Sequence, residues 1–130
     1  MRDDDVRAHA LKTMTLLIVE ETAAMCRLIR SLVEELAVSV VECRDGLDAM
    51  AHCRTRPPDW VIVDLDVEGA LPLVRHLQQT YPMVRLVVLG EDNLRLREAA
   101  ERAGARIYLA KEHMVSLPQV LRDHTAGASQ

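Results

Sequence analysis

The chain contains no phenylalanine, and its aromatic residues are limited to Trp60, Tyr81 and Tyr108. A core must therefore be built from Leu, Val, Ile, Met and Ala. Apolar residues make up 49% of the 130 positions, enough to fill the core of one domain. No apolar run approaches the roughly 18 residues of a membrane-spanning helix, which argues against a membrane protein. Positive charge is not in excess: 16 basic residues face 20 acidic ones, a formal net charge of −4. That balance opposes direct nucleic-acid binding. The opening Met1-Arg2-Asp3-Asp4-Asp5 is too acidic for a secretory signal, so the cytoplasm is the expected location. Cys26, Cys43 and Cys53 are odd in number and lack Cys-x-x-Cys spacing, as expected of buried or half-buried thiols rather than a disulfide or metal framework. His9, His52, His76, His113 and His124 are scattered without metal-ligand spacing. Gly69 and Gly90 read as turn residues, and no glycine-rich phosphate loop accompanies them.

What the chain does have is alternation. Short apolar runs predict strands over 14–19, 38–41, 60–64, 84–89 and 106–109. Between them, helical periodicity predicts helices over 23–36, 46–53, 71–77 and 94–103, with a fifth centred on 115–121. In the first helix Met25, Leu28, Ile29, Leu32, Val33 and Leu36 form one stripe, and Thr22 stands as its N-cap. Gly104 suits the end of the fourth helix, and Pro118 the first turn of the fifth. Five βα units predict an α/β fold with a doubly wound, five-stranded parallel sheet in the order 2-1-3-4-5 and helices on both faces. Residues 1–12 and 125–130 read as flexible tails, the second also as the start of a linker, around a domain over 13–124.

Three of the apolar runs end in residues with chemistry. Leu16-Leu17-Ile18-Val19 releases Glu20-Glu21, Trp60-Val61-Ile62-Val63 releases Asp64, and Ile107-Tyr108-Leu109-Ala110 releases Lys111. In an open parallel sheet these ends meet in one crevice at the switch point. Neighbouring carboxylates repel, and an oxygen-liganded cation such as Mg²⁺ resolves that repulsion. Asp64 can then attack phosphorus, with Lys111 pairing to the phosphoryl oxygens. Acids at strand ends also occur simply as solvated loop residues. The three exits in the right order are what favour a site.

These residues resemble the receiver domain of two-component response regulators, over about residues 14–123. Leu16-Leu17-Ile18-Val19-Glu20-Glu21 is similar to the first strand with its acidic pair. Asp45-Gly46-Leu47-Asp48-Ala49 is similar to the start of the second helix, and Pro58-Asp59-Trp60-Val61-Ile62-Val63-Asp64 to the phosphoacceptor strand. Gly104-Ala105-Arg106-Ile107-Tyr108-Leu109-Ala110-Lys111 resembles the Gly-Ala-x-x-Tyr-Leu-x-Lys stretch. The resemblance implies a flavodoxin-like fold and a phosphoryl group accepted on Asp64 from a histidine kinase or phosphotransfer protein. It implies Mg²⁺ held by Glu20, Glu21, Asp64 and the backbone carbonyl of Asp66. Lys111 would contact the phosphoryl group, and Tyr108 would be the aromatic whose position reports activation. Output would go to a downstream protein target, with a homodimer through the face of helix four, strand five and helix five as a further use. Any catalysis would be limited to Mg²⁺-dependent self-phosphorylation and self-dephosphorylation.

Four departures make this an atypical member. Glu21 replaces the usual second Asp, which predicts weaker Mg²⁺ binding, since Mg²⁺ demands near-ideal geometry. Gly90 stands where the family has Thr or Ser, removing the hydroxyl that drives the aromatic switch. The segment Leu65-Asp66-Val67-Glu68-Gly69 is shorter and more acidic than usual, and Asp66 is placed to orient a water. Glu112, not Pro, follows Lys111, so no cis peptide bond is expected there. Two other functions share the pattern: a phosphorylation-independent interaction or dimerisation module, and an Asp-nucleophile phosphatase with Asp66 as general acid.

Overall fold

The computed structural model describes residues 14–128. The elements alternate as expected: β1 (Met14–Val19), α1 (Ala23–Val33), β2 (Ala37–Cys43), α2 (Gly46–Thr55), β3 (Trp60–Asp64), α3 (Ala70–Thr80), β4 (Arg85–Gly90), α4 (Leu94–Ala103), β5 (Ile107–Ala110) and α5 (Leu117–Ala128). Short 3₁₀ turns, Glu34–Leu36 and Lys111–Ser116, follow α1 and β5. The strands form one sheet in the order β2-β1-β3-β4-β5, all parallel.

The central strands β1, β3 and β4 are buried on both faces because they are apolar at consecutive positions. Leu16, Ile18, Trp60, Ile62, Val87 and Leu89 face α1 and α5. Their chain neighbours Leu17, Val19, Val61, Val63, Leu86 and Val88 face α2, α3 and α4. Every residue of β3 is buried, so Asp64 is fixed by the best-packed strand in the sheet. Its partners in register are Val19 beside Val63 and Leu89 beside Asp64.

Local chemistry explains the helix starts. The Asp45 carboxylate accepts the Asp48 N–H at 2.9 Å, and the Asn93 side chain accepts the Leu96 N–H at 3.1 Å. Gly69 opens α3 at φ 73°, a left-handed conformation that needs glycine.

Several boundaries and one stripe differ from expectation. Leu28 is 47% exposed, while Cys26 turns inward beside Ile29 and Val33. Thr22 precedes α1 without capping it, because its hydroxyl is bonded to Glu20. The last helix runs to Ala128, into the stretch that reads as a tail in the sequence. Trp60, fully buried, donates its indole N–H to Thr125 Oγ1 at 3.1 Å, which ties that end of α5 to the sheet. The expected tail over 1–12 lies outside the described residues, as do positions 129 and 130.

Candidate phosphoacceptor site

Glu20, Asp64 and Lys111 leave β1, β3 and β5 at the same end of the sheet. Asp64 is only 2% exposed and Glu20 only 4%, the two buried charged residues described. Lys111 Nζ lies 2.9 Å from Asp64 Oδ1 and 2.8 Å from Asp66 Oδ2. The Asp66 N–H donates to the same Asp64 Oδ1 at 2.9 Å. That bond follows from the turn after β3, in which the Val67 N–H bonds the Asp64 carbonyl at 3.0 Å. Asp66 thus enters the site through its amide and carboxylate. A side chain already holding an ammonium is not placed as the general acid of a phosphatase.

Glu20 Oε1 accepts the Thr22 N–H at 3.0 Å and its hydroxyl at 3.2 Å. Glu20 Oε2 is sealed from solvent and has no hydrogen-bond partner among the described residues. Burial, then the adjoining Asp64 carboxylate, pushes Glu20 up to about 7. Burial also opposes ionisation of Asp64. The carboxyl of Glu20, the Lys111 ammonium and the Asp66 N–H outweigh it and hold Asp64 below the ordinary aspartate range. Lys111 is shifted up: burial disfavours its charge, but Asp66 and Asp64 more than compensate. Burial and the adjoining carboxylate thus favour the neutral form of Glu20, while Glu20, Lys111 and the Asp66 N–H favour the ionised form of Asp64.

The structure does not bring both consecutive acids into the pocket. Glu21 is exposed and forms no hydrogen bond or ion pair with the cluster. The chain bends after β1 ends at Val19, and that bend turns Glu20 inward and Glu21 to solvent. The peptide bond after Lys111 is trans, with Lys111 opening a 3₁₀ turn. His113 in that turn is exposed.

Tyr108 is 5% exposed and donates its hydroxyl to the Glu91 carbonyl at 2.6 Å. Its ring passes across Gly90, which is paired with Ala110 in register. A Cβ on residue 90 would overlap the Tyr108 hydroxyl and lie 3.2 Å from Leu65 Cδ2. Arg97 sits 5.4 Å from the ring centroid and donates to the Tyr108 carbonyl at 3.4 Å. The missing side chain at 90 is thus the space that admits an inward tyrosine. The three cysteine thiols are buried and free, and burial first raises each above its ordinary value, Cys26 and Cys43 to about 12.

Sequence reasoning missed the Lys111–Asp66 pair and the Glu91 acceptor. The two-residue spacing of Asp64 and Asp66 was a signal for the first. A backbone acceptor such as Glu91 leaves none.

Comparison with known proteins identifies the family and the fold. The model of the response regulator receiver domain matches residues 16–122. The chain is 32% identical over 120 residues to the KDP operon transcriptional regulatory protein KdpE of Escherichia coli, covering 85% of this chain and 52% of KdpE. It thus spans about half the length of that relative. It is 23% identical over 114 residues to the polar-differentiation response regulator DivK of Brucella ovis, covering 84% of this chain and 91% of DivK. Among solved structures, a putative response regulator from Chloroflexus aurantiacus superposes with a TM-score of 0.78 at 21% identity, covering 87% and 97% of the two chains. A two-component response regulator of the LuxR family from Aurantimonas superposes with a TM-score of 0.80 at 24% identity, covering 89% and 87%.

Proposed function

The chain belongs to the response regulator receiver domain family, and from that premise we propose that Asp64 is its phosphoacceptor. As a receiver it serves phosphorelay signal transduction, taking its phosphoryl group from a histidine kinase or phosphotransfer protein. The observation that carries the assignment is Lys111 Nζ 2.9 Å from the carboxylate of a buried, ionised Asp64.

Asp64 Oδ1 is occupied by Lys111 and the Asp66 N–H, which leaves Oδ2 as the attacking atom. Attack forms an O–P bond and breaks the P–N bond of the phosphohistidine donor. The imidazole leaves with the bonding pair and takes up a proton. Lys111, already beside the carboxylate, moves little to meet the new phosphoryl oxygens, and to do so it gives up Asp66. Release of Asp66 is a cost that the transfer must offset.

A divalent cation fits the cluster. Glu20 Oε2 is an oxygen buried without a donor beside a second carboxylate, the arrangement an oxygen-seeking cation satisfies. Glu20 and Asp64 would hold Mg²⁺, with the Asp66 carbonyl as a further oxygen. When bound, the metal neutralises phosphoryl charge. Glu21, turned to solvent, is left out of the ligand set, consistent with weak binding.

For output, the face formed by α4, β5 and α5 is the surface nearest Tyr108. A downstream protein or a second copy of the chain would bind there, and Leu94 at the start of α4 is 67% exposed. Among the described residues no helix is long and apolar enough to cross a membrane, and a cytoplasmic location goes with this reading. Incubation with acetyl phosphate and Mg²⁺, read by intact mass under conditions that preserve acyl phosphates, tests the assignment. One added phosphoryl group, absent in Asp64→Asn, is expected. Equal phosphorylation of Asp64→Asn overturns it.

A further inference from the structure

A second group of metal-binding side chains lies at the junction of β2 and α2. Cys43 is the last residue of β2, 1% exposed, paired in register with Val19. Asp48 and His52 stand one turn apart on α2, His52 Nε2 3.6 Å from Asp48 Oδ1. The Cys43 sulfur, an Asp48 oxygen and a His52 nitrogen all lie within 4.8 Å of one another. Tetrahedral zinc, with bonds of about 2.0–2.3 Å, sets its ligand atoms about 3.3–3.8 Å apart. Small rotations of the two exposed side chains close that difference.

We propose that Cys43, Asp48 and His52 form a zinc site separate from the acid cluster at Asp64. The donor set decides the metal class. One sulfur, one nitrogen and one oxygen suit a borderline ion such as Zn²⁺, whereas Mg²⁺ takes oxygen alone. The anchoring is favourable as well. Cys43 is set by strand register, and Asp48 and His52 by a helix whose first turn is capped by Asp45. Because Asp48 and His52 are half exposed, the fourth position opens to water or to a side chain of a binding partner. Binding replaces the Cys43 thiol proton, which leaves to solvent, and forms the metal–sulfur bond. The bound ion would clamp α2 to the sheet. The Cys43 carbonyl accepts the Glu20 N–H at 2.9 Å, so the clamp lies one backbone bond from the phosphoacceptor cluster.

Co²⁺ is the probe, because thiolate bound to Co²⁺ gives a sulfur-to-metal charge-transfer band. The full chain is titrated with Co²⁺ in excess Mg²⁺, then with Zn²⁺. A band that saturates at one Co²⁺ per chain and is bleached by Zn²⁺ is expected. It should vanish in Cys43→Ser and persist in Asp64→Asn. His52→Ala, at an exposed position that leaves the fold intact, should weaken Co²⁺ binding by about tenfold or more. Absence of the band, its survival in Cys43→Ser, its loss in Asp64→Asn, or unchanged affinity in His52→Ala would each overturn the zinc site. The readout does not depend on phosphorylation, so its failure leaves the Asp64 assignment standing.

Discussion

The Tyr108 hydroxyl occupies the place where a side chain on residue 90 would begin, so the inward tyrosine requires Gly90. In a receiver with Thr or Ser at this position, a hydroxyl is available to respond to the phosphoryl group. Here the tyrosine is already inward, held by the Glu91 carbonyl and covered by Arg97. Adding a methyl group should push it out. Gly90→Ala is expected to expose the Tyr108 ring and to cost about 1–2 kcal/mol, overpacking set against a stiffer unfolded chain. Ring contacts in NMR spectra and denaturant melts check both, and an unmoved ring in Gly90→Ala contradicts the pairing.

Glu20 makes stability fall as pH rises. Its folded value, about 7, lies above its unfolded value of 4.5, so the folded chain binds the extra proton. Stability from this group is fully present below about 4.5 and is lost progressively up to about 7. Asp64 works the other way, its contribution falling away only in acid as pH drops through its depressed value. Glu20→Gln should remove the slope between pH 4.5 and 7 and stabilise the metal-free protein at pH 8 by about 1–2 kcal/mol. Urea melts across that range check it. A slope unchanged in Glu20→Gln would locate the titrating group elsewhere.

Asp66 competes with the phosphoryl group for Lys111. Its carboxylate is 74% exposed, so the ion pair is worth at most about 1 kcal/mol, a factor of about five in equilibrium. Asp66→Ala should raise the phosphorylated fraction at limiting acetyl phosphate by up to about fivefold. Lys111→Met should lower the rate of phosphorylation about a hundredfold. Intact mass against time measures both, and a lower yield in Asp66→Ala would mean that Asp66 assists the transfer instead.

Trp60 depends on Thr125. Thr125→Val leaves the buried indole N–H without its acceptor, which should cost about 1–3 kcal/mol. Thermal melts followed by Trp60 fluorescence report it. An unchanged midpoint would show that the indole finds another partner.

Much of this arrangement is legible in the chain itself. A strand covered on both faces must be an unbroken apolar run, so the first charged residue after it marks the sheet edge. Glu20, Asp64 and Lys111 can be found that way, and their convergence follows from the strand order. The direction of each side chain cannot. Whether Glu20 or Glu21 faces inward depends on the bend after β1, and both are equally acidic on paper. The inward Cys26 and outward Leu28 reverse the hydrophobic ranking because α1 packs at a particular rotation. Cys43, Asp48 and His52 straddle a strand, a turn and a helix, so no fixed spacing announces them. Thr125 reads as part of a tail because its bond to the Trp60 indole spans 65 residues of sequence.

The phosphoacceptor assignment is tested most directly by chemical trapping. The protein is incubated with acetyl phosphate and Mg²⁺, then treated with borohydride, which reduces an aspartyl phosphate to homoserine. Peptide mass mapping locates the change. Homoserine at position 64, with the other aspartates intact, is the expected result. Homoserine at another aspartate, or none under conditions where intact mass shows a phosphoryl group, would contradict it.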